Sequence, residues 1–169
     1  MRKAFTLIEL LIVIAIIGLM AFLAIPAFDS YGAQAEINNK ADQIKNILDS
    51  AYQKSISPVS GANGTEIIIN TNGIISRSGV FNSDKCNSDI GEIVESQTFE
   101  IDEGTSADYT LSIPLGMPGT IRFCSPAEDE NIKMKRGGVS QDIMMINISR
   151  RGYSKDIIIK RFPFKVEIQ

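Results

Sequence analysis

FTLIELLIVIAIIGLMAFLAIP, residues 5–26, is the stretch that decides the architecture of this chain. No residue from 10 to 28 is charged, which leaves nineteen consecutive uncharged positions. At about 1.5 Å of rise per helical residue, a helix of that length just crosses the roughly 30 Å hydrocarbon layer of a bilayer. Glu9 interrupts the apolar run near its start, and Arg2 and Lys3 precede it. The stretch therefore predicts an apolar helix that contacts a membrane.

Two simple interpretations of this N-terminus leave Glu9 unexplained. A cleaved secretory signal would have a shorter apolar run without an acid, and a small-residue cleavage site would follow it. A single-pass anchor with Arg2 and Lys3 in the cytoplasm accounts for the remaining features. A carboxylate in hydrocarbon costs roughly 2.5–3.5 kcal/mol on insertion scales, so we expect Glu9 to have a function. An acid that reaches back to the headgroups is the simpler alternative.

Residues 3–28 closely resemble the N-terminus of type IV pilins and of the pseudopilins of type II secretion. The shared features are a short basic leader, residues 1–4, and the sequence FTLIEL with Glu9 at its fifth position. Gly18 and Pro26 fall where this family has helix-loosening residues. The resemblance is close over about the first thirty residues and holds only in outline beyond them.

The resemblance implies that a membrane prepilin peptidase cuts between Ala4 and Phe5 and methylates the new amine of Phe5. Most members of the family have glycine before the cut, where this chain has Ala4. Glu9 would then pair with the amine of Phe5, on its own chain or on a neighbouring subunit. Such pairing would remove most of the cost of leaving both charges in an apolar core.

Gly18 and Pro26 would loosen the helix when the subunit enters a filament, as the resemblance implies. Proline removes one backbone hydrogen bond and clashes with the preceding turn of a helix. Both residues are also commoner in membrane helices than in soluble ones, which is the simpler explanation of their presence.

Beyond the apolar stretch the helical period continues with a polar face. Apolar residues recur at steps of three and four, as expected of an amphipathic helix that packs on a sheet; they are Ile37, Ala41, Ile44, Leu48 and Ala51. We expect one helix over residues 5–57, which Ser57-Pro58 ends because the residue before proline disfavours the helix.

Residues 58–169 predict short strands and turns. Thr71-Asn72-Gly73 between β-branched runs predicts a hairpin, and residues 82–91 are expected to form a loop. Further strands are predicted at 97–101, 109–113, 120–124, 143–149, 156–160 and 164–168. The fold class is therefore α+β, with a long N-terminal helix packed on a mainly antiparallel β domain, which is the pilin outline. The late strands faintly resemble those of the H-type minor pseudopilins.

The predicted organisation has four parts along the chain. These are a leader (1–4), a transmembrane or filament-core helix (5–28), an amphipathic helix (29–57) and an extracytoplasmic β-rich domain (58–169). Cys86 and Cys124 lack C-x-x-C spacing. Because their domain is expected outside the cytoplasm, a disulfide between them is predicted, with two buried free thiols as the alternative.

Charge is segregated along the β-rich domain. Residues 66–130 contain twelve acids and three bases, whereas residues 133–169 contain nine bases and three acids. Complementary surfaces between stacked subunits, or solvated faces, are the simpler interpretation. A surface that contacts DNA phosphates is the sharper one; its candidate residues are Arg150, Arg151, Lys155, Lys160 and Arg161.

Catalysis has little support in the sequence. The chain has no histidine, which excludes a Ser-His-Asp triad, and it has no zinc signature and no phosphate-binding loop. We therefore expect neither an enzyme nor a bound cofactor.

The preferred hypothesis is a structural subunit of a type IV pilus-like or type II secretion pseudopilus filament. Its expected partners are a prepilin peptidase, an inner-membrane assembly platform and other pilin or pseudopilin subunits in a homo- or heteropolymer. We expect it first in the cytoplasmic membrane, with a single pass and the C-terminal domain outside, and then in the filament. A minor pilin that binds DNA during uptake, and an anchored domain that never polymerises, are the alternatives. The sequence does not decide whether the subunit is major or minor. It also does not decide whether the filament is a pilus, a secretion pseudopilus or a competence filament.

Overall fold

The computed structural model describes residues 7–58, 61–81, 90–100, 109–112, 118–125, 131–150 and 152–169. The chain separates into two compact units, Met1–Glu36 and Ile37–Gln169. Helix α1 extends from Leu7 to Ile56. Within the described residues this confirms the predicted helix, and its C-terminal end lies one position before the predicted one. The helical backbone continues through Gly18 and Pro26.

In the described part of the chain, ten strands follow the helix in chain order. They are β1 (Gly64–Asn70), β2 (Gly73–Phe81), β3 (Ile90–Glu100), β4 (Tyr109–Ser112), β5 (Gly119–Cys124), β6 (Ile132–Arg136), β7 (Val139–Ser140), β8 (Ile143–Arg150), β9 (Tyr153–Lys160) and β10 (Lys165–Ile168). Sheet A has the order β3-β2-β1-β5-β6-β7, and sheet B has the order β10-β9-β8-β4. All described pairings are antiparallel, which confirms the predicted α+β fold.

One hydrophobic core joins the C-terminal part of α1 to both sheets. The predicted helical stripe lies within it, since Ile37, Ala41, Ile44, Leu48 and Ala51 are each at most 1% exposed. Sheet A contributes residues such as Ile67 and Ile121, and sheet B contributes residues such as Ile146 and Ile157. The stripe therefore packs on sheets, as its period predicts.

An aromatic cluster closes the C-terminal part of this core. Tyr52 of α1 stacks on Phe164 at 4.6 Å between ring centroids, and Phe123 of β5 meets Phe164 edge to face at 4.9 Å. Tyr52 and Phe123 also make an edge contact at 5.9 Å. Such aromatic pairs contribute about 0.5–1.5 kcal/mol each beyond their buried area. The three rings therefore tie the helix to a strand of sheet A and to the segment before β10.

The predicted hairpin is the turn between β1 and β2. Asn70 pairs with Gly73, which leaves Thr71 and Asn72 as the two-residue loop. A Cβ atom at Gly73 would lie 2.1 Å from the carbonyl oxygen of Phe99 on the neighbouring β3. Glycine at this position therefore permits the close approach of β3 as well as the turn.

Three strands of sheet A differ from the sequence prediction. β3 begins at Ile90, so Ile90 and Gly91 are strand residues and not loop; the rest of the predicted loop, residues 82–89, lies outside the described part. β6 and β7 were not predicted. β7 has two residues, which is too short to show an alternating period, and β3 is exposed along most of its length and so has no apolar face to mark it.

Candidate assembly surface

Residues 7–22 of α1 form an apolar and exposed helical segment, here called the N-terminal apolar segment. Every residue in it is exposed. Its twelve large apolar side chains range from 45% exposed at Val13 to 81% at Leu7. A helix that is apolar on all sides needs other apolar groups around it, from protein or from lipid. This segment is the strongest candidate for a contact with partners.

Glu9 is the acid in the first turn of α1. An acid there interacts favourably with the positive end of the helix dipole. Glu9 also takes part in a polar interaction within the chain. Ala4 and Phe5 lie outside the described residues, so cleavage between them and pairing of Glu9 with the Phe5 amine stay predictions.

The two helix-loosening candidates lie inside the continuous helix. No heavy atom of the described residues lies within 4 Å of a Cβ built at Gly18, so packing against these residues does not require the glycine. Pro26 belongs to residues 23–30, whose side-chain surroundings lie outside the description. Within the described residues, no helix combines the length and the hydropathy that crossing a bilayer requires.

The DNA-contact candidates are divided between the two ends of the β8–β9 hairpin. Arg150 pairs with Tyr153 beside the turn, with Lys155 close by, whereas Lys160 pairs with Ile143 at the far end. Lys155 and Lys160 are separated by five residues, or about 17 Å of strand. Because that separation is odd, their side chains leave opposite faces of sheet B. Arg151 lies outside the described residues.

Ion pairs engage the candidates at the far end of that hairpin. Lys160 and Lys165 both donate to Glu167, at 2.9 and 2.7 Å. Hydrogen bonds from these two lysines lower the pKa of the Glu167 carboxyl to about 2, and the bond from Lys160 has the larger effect. Arg161 lies 3.4 Å from Asp142 and its guanidinium stands 4.1 Å from the centre of the Phe162 ring. The positive charge of this end is therefore largely compensated within the chain.

A charged row that the sequence did not indicate crosses sheet A. Glu66 of β1 pairs with Arg77 of β2 on one side and with Arg122 of β5 on the other, and Arg122 pairs with Lys133 of β6. Arg122 donates from Nε to Oε1 of Glu66 at 2.8 Å. The residues come from four separate stretches of sequence, so only the strand register brings them together.

Cys124 is buried beside Phe81 and Ile90 and is disulfide-bonded. Its predicted partner, Cys86, lies outside the described residues, so the pairing itself stays a prediction. Within the described ranges, no group of three or more His, Cys, Asp or Glu residues could hold a metal ion.

Comparison with known proteins gives matches that are concentrated at the N-terminus. A family model described as the prokaryotic N-terminal methylation motif matches residues 1–25. Fimbrial protein Q of Moraxella bovis is 38% identical over 89 residues, which cover 48% of this chain and 57% of that protein. The type IV major fimbrial protein FimA of Dichelobacter nodosus is 40% identical over 72 residues, covering 38% of this chain and 44% of that protein.

The type IV major pilin protein PilE1 of Neisseria gonorrhoeae is 53% identical over 38 residues, which cover 22% of this chain and 23% of that protein. The chain thus spans about half the length, or less, of the curated relatives it matches. No solved structure matches the chain.

Proposed function

We propose, from the type IV pilin family N-terminus of this chain, that the protein is a structural subunit of a pilus and polymerises with other pilin subunits. Its role is mechanical and involves no catalysis. The observation that carries the proposal is the N-terminal apolar segment, which lies within the methylation motif and exposes twelve large apolar side chains.

The free energy gained by burying the N-terminal apolar segment is too large for the segment to stay exposed to water. Burying one Leu, Ile or Phe side chain contributes roughly 1.5–3 kcal/mol. The twelve exposed side chains together therefore outweigh the roughly 5–15 kcal/mol by which a typical domain is stable. We infer that lipid surrounds the segment before assembly and that helices of neighbouring subunits surround it afterwards.

In the proposed mechanism, Glu9 sets the register in which neighbouring subunits pack when helices replace lipid. Four residues of helix rise about 6 Å, so a neighbour displaced by about one turn brings its Glu9 level with the Phe5 amine. Pairing there satisfies both charges in an apolar surrounding, whereas a lone charge there is costly. Subunits that arrive in this register are thus favoured over others.

The remaining steps belong to the same proposal. A prepilin peptidase would remove residues 1–4 by cutting between Ala4 and Phe5, and would methylate the new amine. An assembly platform in the inner membrane would then move the subunit, held by a single pass with its C-terminal domain outside, into the filament. Gly18 and Pro26 would loosen the helix in that step. A secretion pseudopilus would use the same steps.

DNA binding by the C-terminal basic residues has weaker support. Lys160 is paired with Glu167 and Arg161 with Asp142, and Lys155 leaves the opposite face of sheet B from Lys160. Phosphate contacts need several unpaired cations on one surface. The filament role accordingly stands as the proposed function.

Intact-mass measurement on the native protein, combined with fractionation of sheared filaments, tests the proposal. We expect a mass that lacks residues 1–4 and carries one added methyl group, and we expect the protein in the sheared fraction. A full-length mass and a protein found only in the membrane would reject it.

A further inference from the structure

Sheet A carries opposite charge at its two edges. The acidic edge is β3, whose charged residues are Glu92, Glu95 and Glu100. The basic edge is β6 with the short β7, and its charged residues are Lys133, Lys135 and Arg136. From β3 to β6 there are four strand-to-strand steps, or about 19 Å. The sheet is thus a charge dipole that runs across its strands.

Some of the charges in this sheet are already paired within the subunit. Glu95 forms an ion pair with Lys54 of α1 at 2.9 Å, and Glu66 in the centre of the sheet forms an ion pair with Arg122 at 2.8 Å. Arg136 also has an interaction inside the chain. These contacts leave most of the edge charge uncompensated.

The uncompensated charges are two acids at one edge and two bases at the other. Within the part of the chain that the structure describes, no ion pair engages them; they are Glu92, Glu100, Lys133 and Lys135. Each edge is therefore ready to receive charge of the opposite sign from outside.

Exposed apolar side chains accompany these charges at both edges. Ile93 and Val94 on β3 are 49% and 44% exposed, and Val139 on β7 is 63% exposed. Among the described strands, β3 pairs only with β2, and that pairing has two register shifts, at Ser78/Gly79 and Val80/Phe81. Bulges and charges on an edge strand oppose backbone pairing with another strand. A contact at this edge would therefore use side chains.

We infer that the two edges of sheet A form a heterologous interface between copies of this chain, in which the acidic edge of one copy contacts the basic edge of the next. The inference rests on the proposed function, because a filament supplies the second copy. The two edges carry opposite charge, and each adds exposed apolar surface. A heterologous contact whose rotation does not close generates an open helical filament, which fits a pilus subunit.

Exchange of the edge charges tests this interface in the full-length protein, expressed as the only pilin. The acid-reversed variant is Glu92→Lys with Glu100→Lys, and the base-reversed variant is Lys133→Glu with Lys135→Glu. Each variant alone places like charges across the interface, so we expect filament yield to fall about tenfold or more at unchanged subunit level in the membrane.

Two further experiments, a co-expression and a quadruple variant, complete the test. Co-expression of the two reversed variants lets acidic and basic edges alternate along the filament, and we expect yield to return to within about twofold of the original. The quadruple variant keeps the net charge of −3 and should assemble likewise. If a reversed variant fails to accumulate, Glu92→Gln with Glu100→Gln removes the attraction without repulsion and should reduce yield to a smaller extent.

The results separate this inference from the proposed function. If the original chain forms no filament, the proposed function fails. If it forms filaments and the reversed variants match its yield, the interface is wrong. Loss in either variant without recovery on co-expression also overturns it, because then the partner of that edge is not the other edge of a second copy.

Discussion

Glu66 and Arg122 form an ion pair between neighbouring strands, with 2.8 Å between Oε1 and Nε and with side chains only 7% and 11% exposed. The pair lies on the face of sheet A away from the core, since Ile67 and Phe123, the next residues on β1 and β5, are core residues. A pair so far from water costs desolvation free energy, which its Coulomb attraction offsets only while both partners are present.

We therefore expect Arg122→Met to lower the free energy of unfolding by about 3–5 kcal/mol, because it leaves the Glu66 carboxylate buried without its partner. Replacing both residues, Glu66→Leu with Arg122→Met, should cost markedly less. Denaturant unfolding of the detergent-solubilised protein measures both. A double variant that is less stable than the single one would show that the pair is not the dominant interaction of Arg122.

Glu9→Ala is expected to leave membrane insertion intact and to reduce entry into filaments about tenfold or more, because the Phe5 amine would then have no counter-charge in the filament core. The measurement is the ratio of sheared to membrane-bound subunit, with the variant as the only pilin. Asp42→Ala is the matched control, since Asp42 is an exposed acid of the same helix outside the apolar segment. Normal filament yield from Glu9→Ala would refute this role.

Gly73→Ala is expected to destabilise the β-rich unit by about 1–3 kcal/mol, because the new methyl group would stand 2.1 Å from the Phe99 carbonyl oxygen and would push β3 away from β2. Gly32→Ala is the control, as no atom of the described residues lies within 4 Å of a Cβ at that helical position and alanine favours the helix. Thermal unfolding followed by circular dichroism compares the two. Equal midpoints for both variants would contradict the close approach of β3.

The sequence predicted the elements whose periods are strong. The helical stripe from Ile37 to Ala51 and the turn at Thr71-Asn72-Gly73 follow from spacing and turn chemistry alone, and the structure confirms both. β6 and β7 were not predicted. β6 does alternate between buried and more exposed residues, but it has only five residues and lies between a run of acids and a Gly-Gly turn, so its pattern is too short to indicate a strand.

Contacts set by strand register were beyond reach of the sequence. Glu66 and Arg122 are 56 positions apart, and nothing local indicates that β1 and β5 are neighbours. The same reason hides the opposite charges at the two edges of sheet A, since strand order decides which strand is an edge. Charge counts along the chain showed segregation, but only the topology shows where in space it lies.

Glu167 predicts an acid-dependent change in stability. Its pKa is lowered from 4.5 to about 2 by hydrogen bonds from Lys160 and Lys165, so the folded state favours the ionised carboxylate. A carboxyl whose pKa is lower in the folded state stabilises the protein above its unfolded pKa. That contribution is complete above about pH 5 and is lost as the pH falls from about 4.5 towards 2.

Glu167→Gln should therefore be less stable than the original protein at pH 7, and the two should converge as the pH approaches 2. The side chains of Lys160 and Lys165 are 41% and 62% exposed, so added salt should also narrow the difference at pH 7 by screening the pairs. Lys155→Gln, on the same sheet without a described ion pair, is the control for loss of one charge. A stability gap for Glu167→Gln that stays constant from pH 7 to pH 3 would place the effect in packing and not in the titration of this carboxyl.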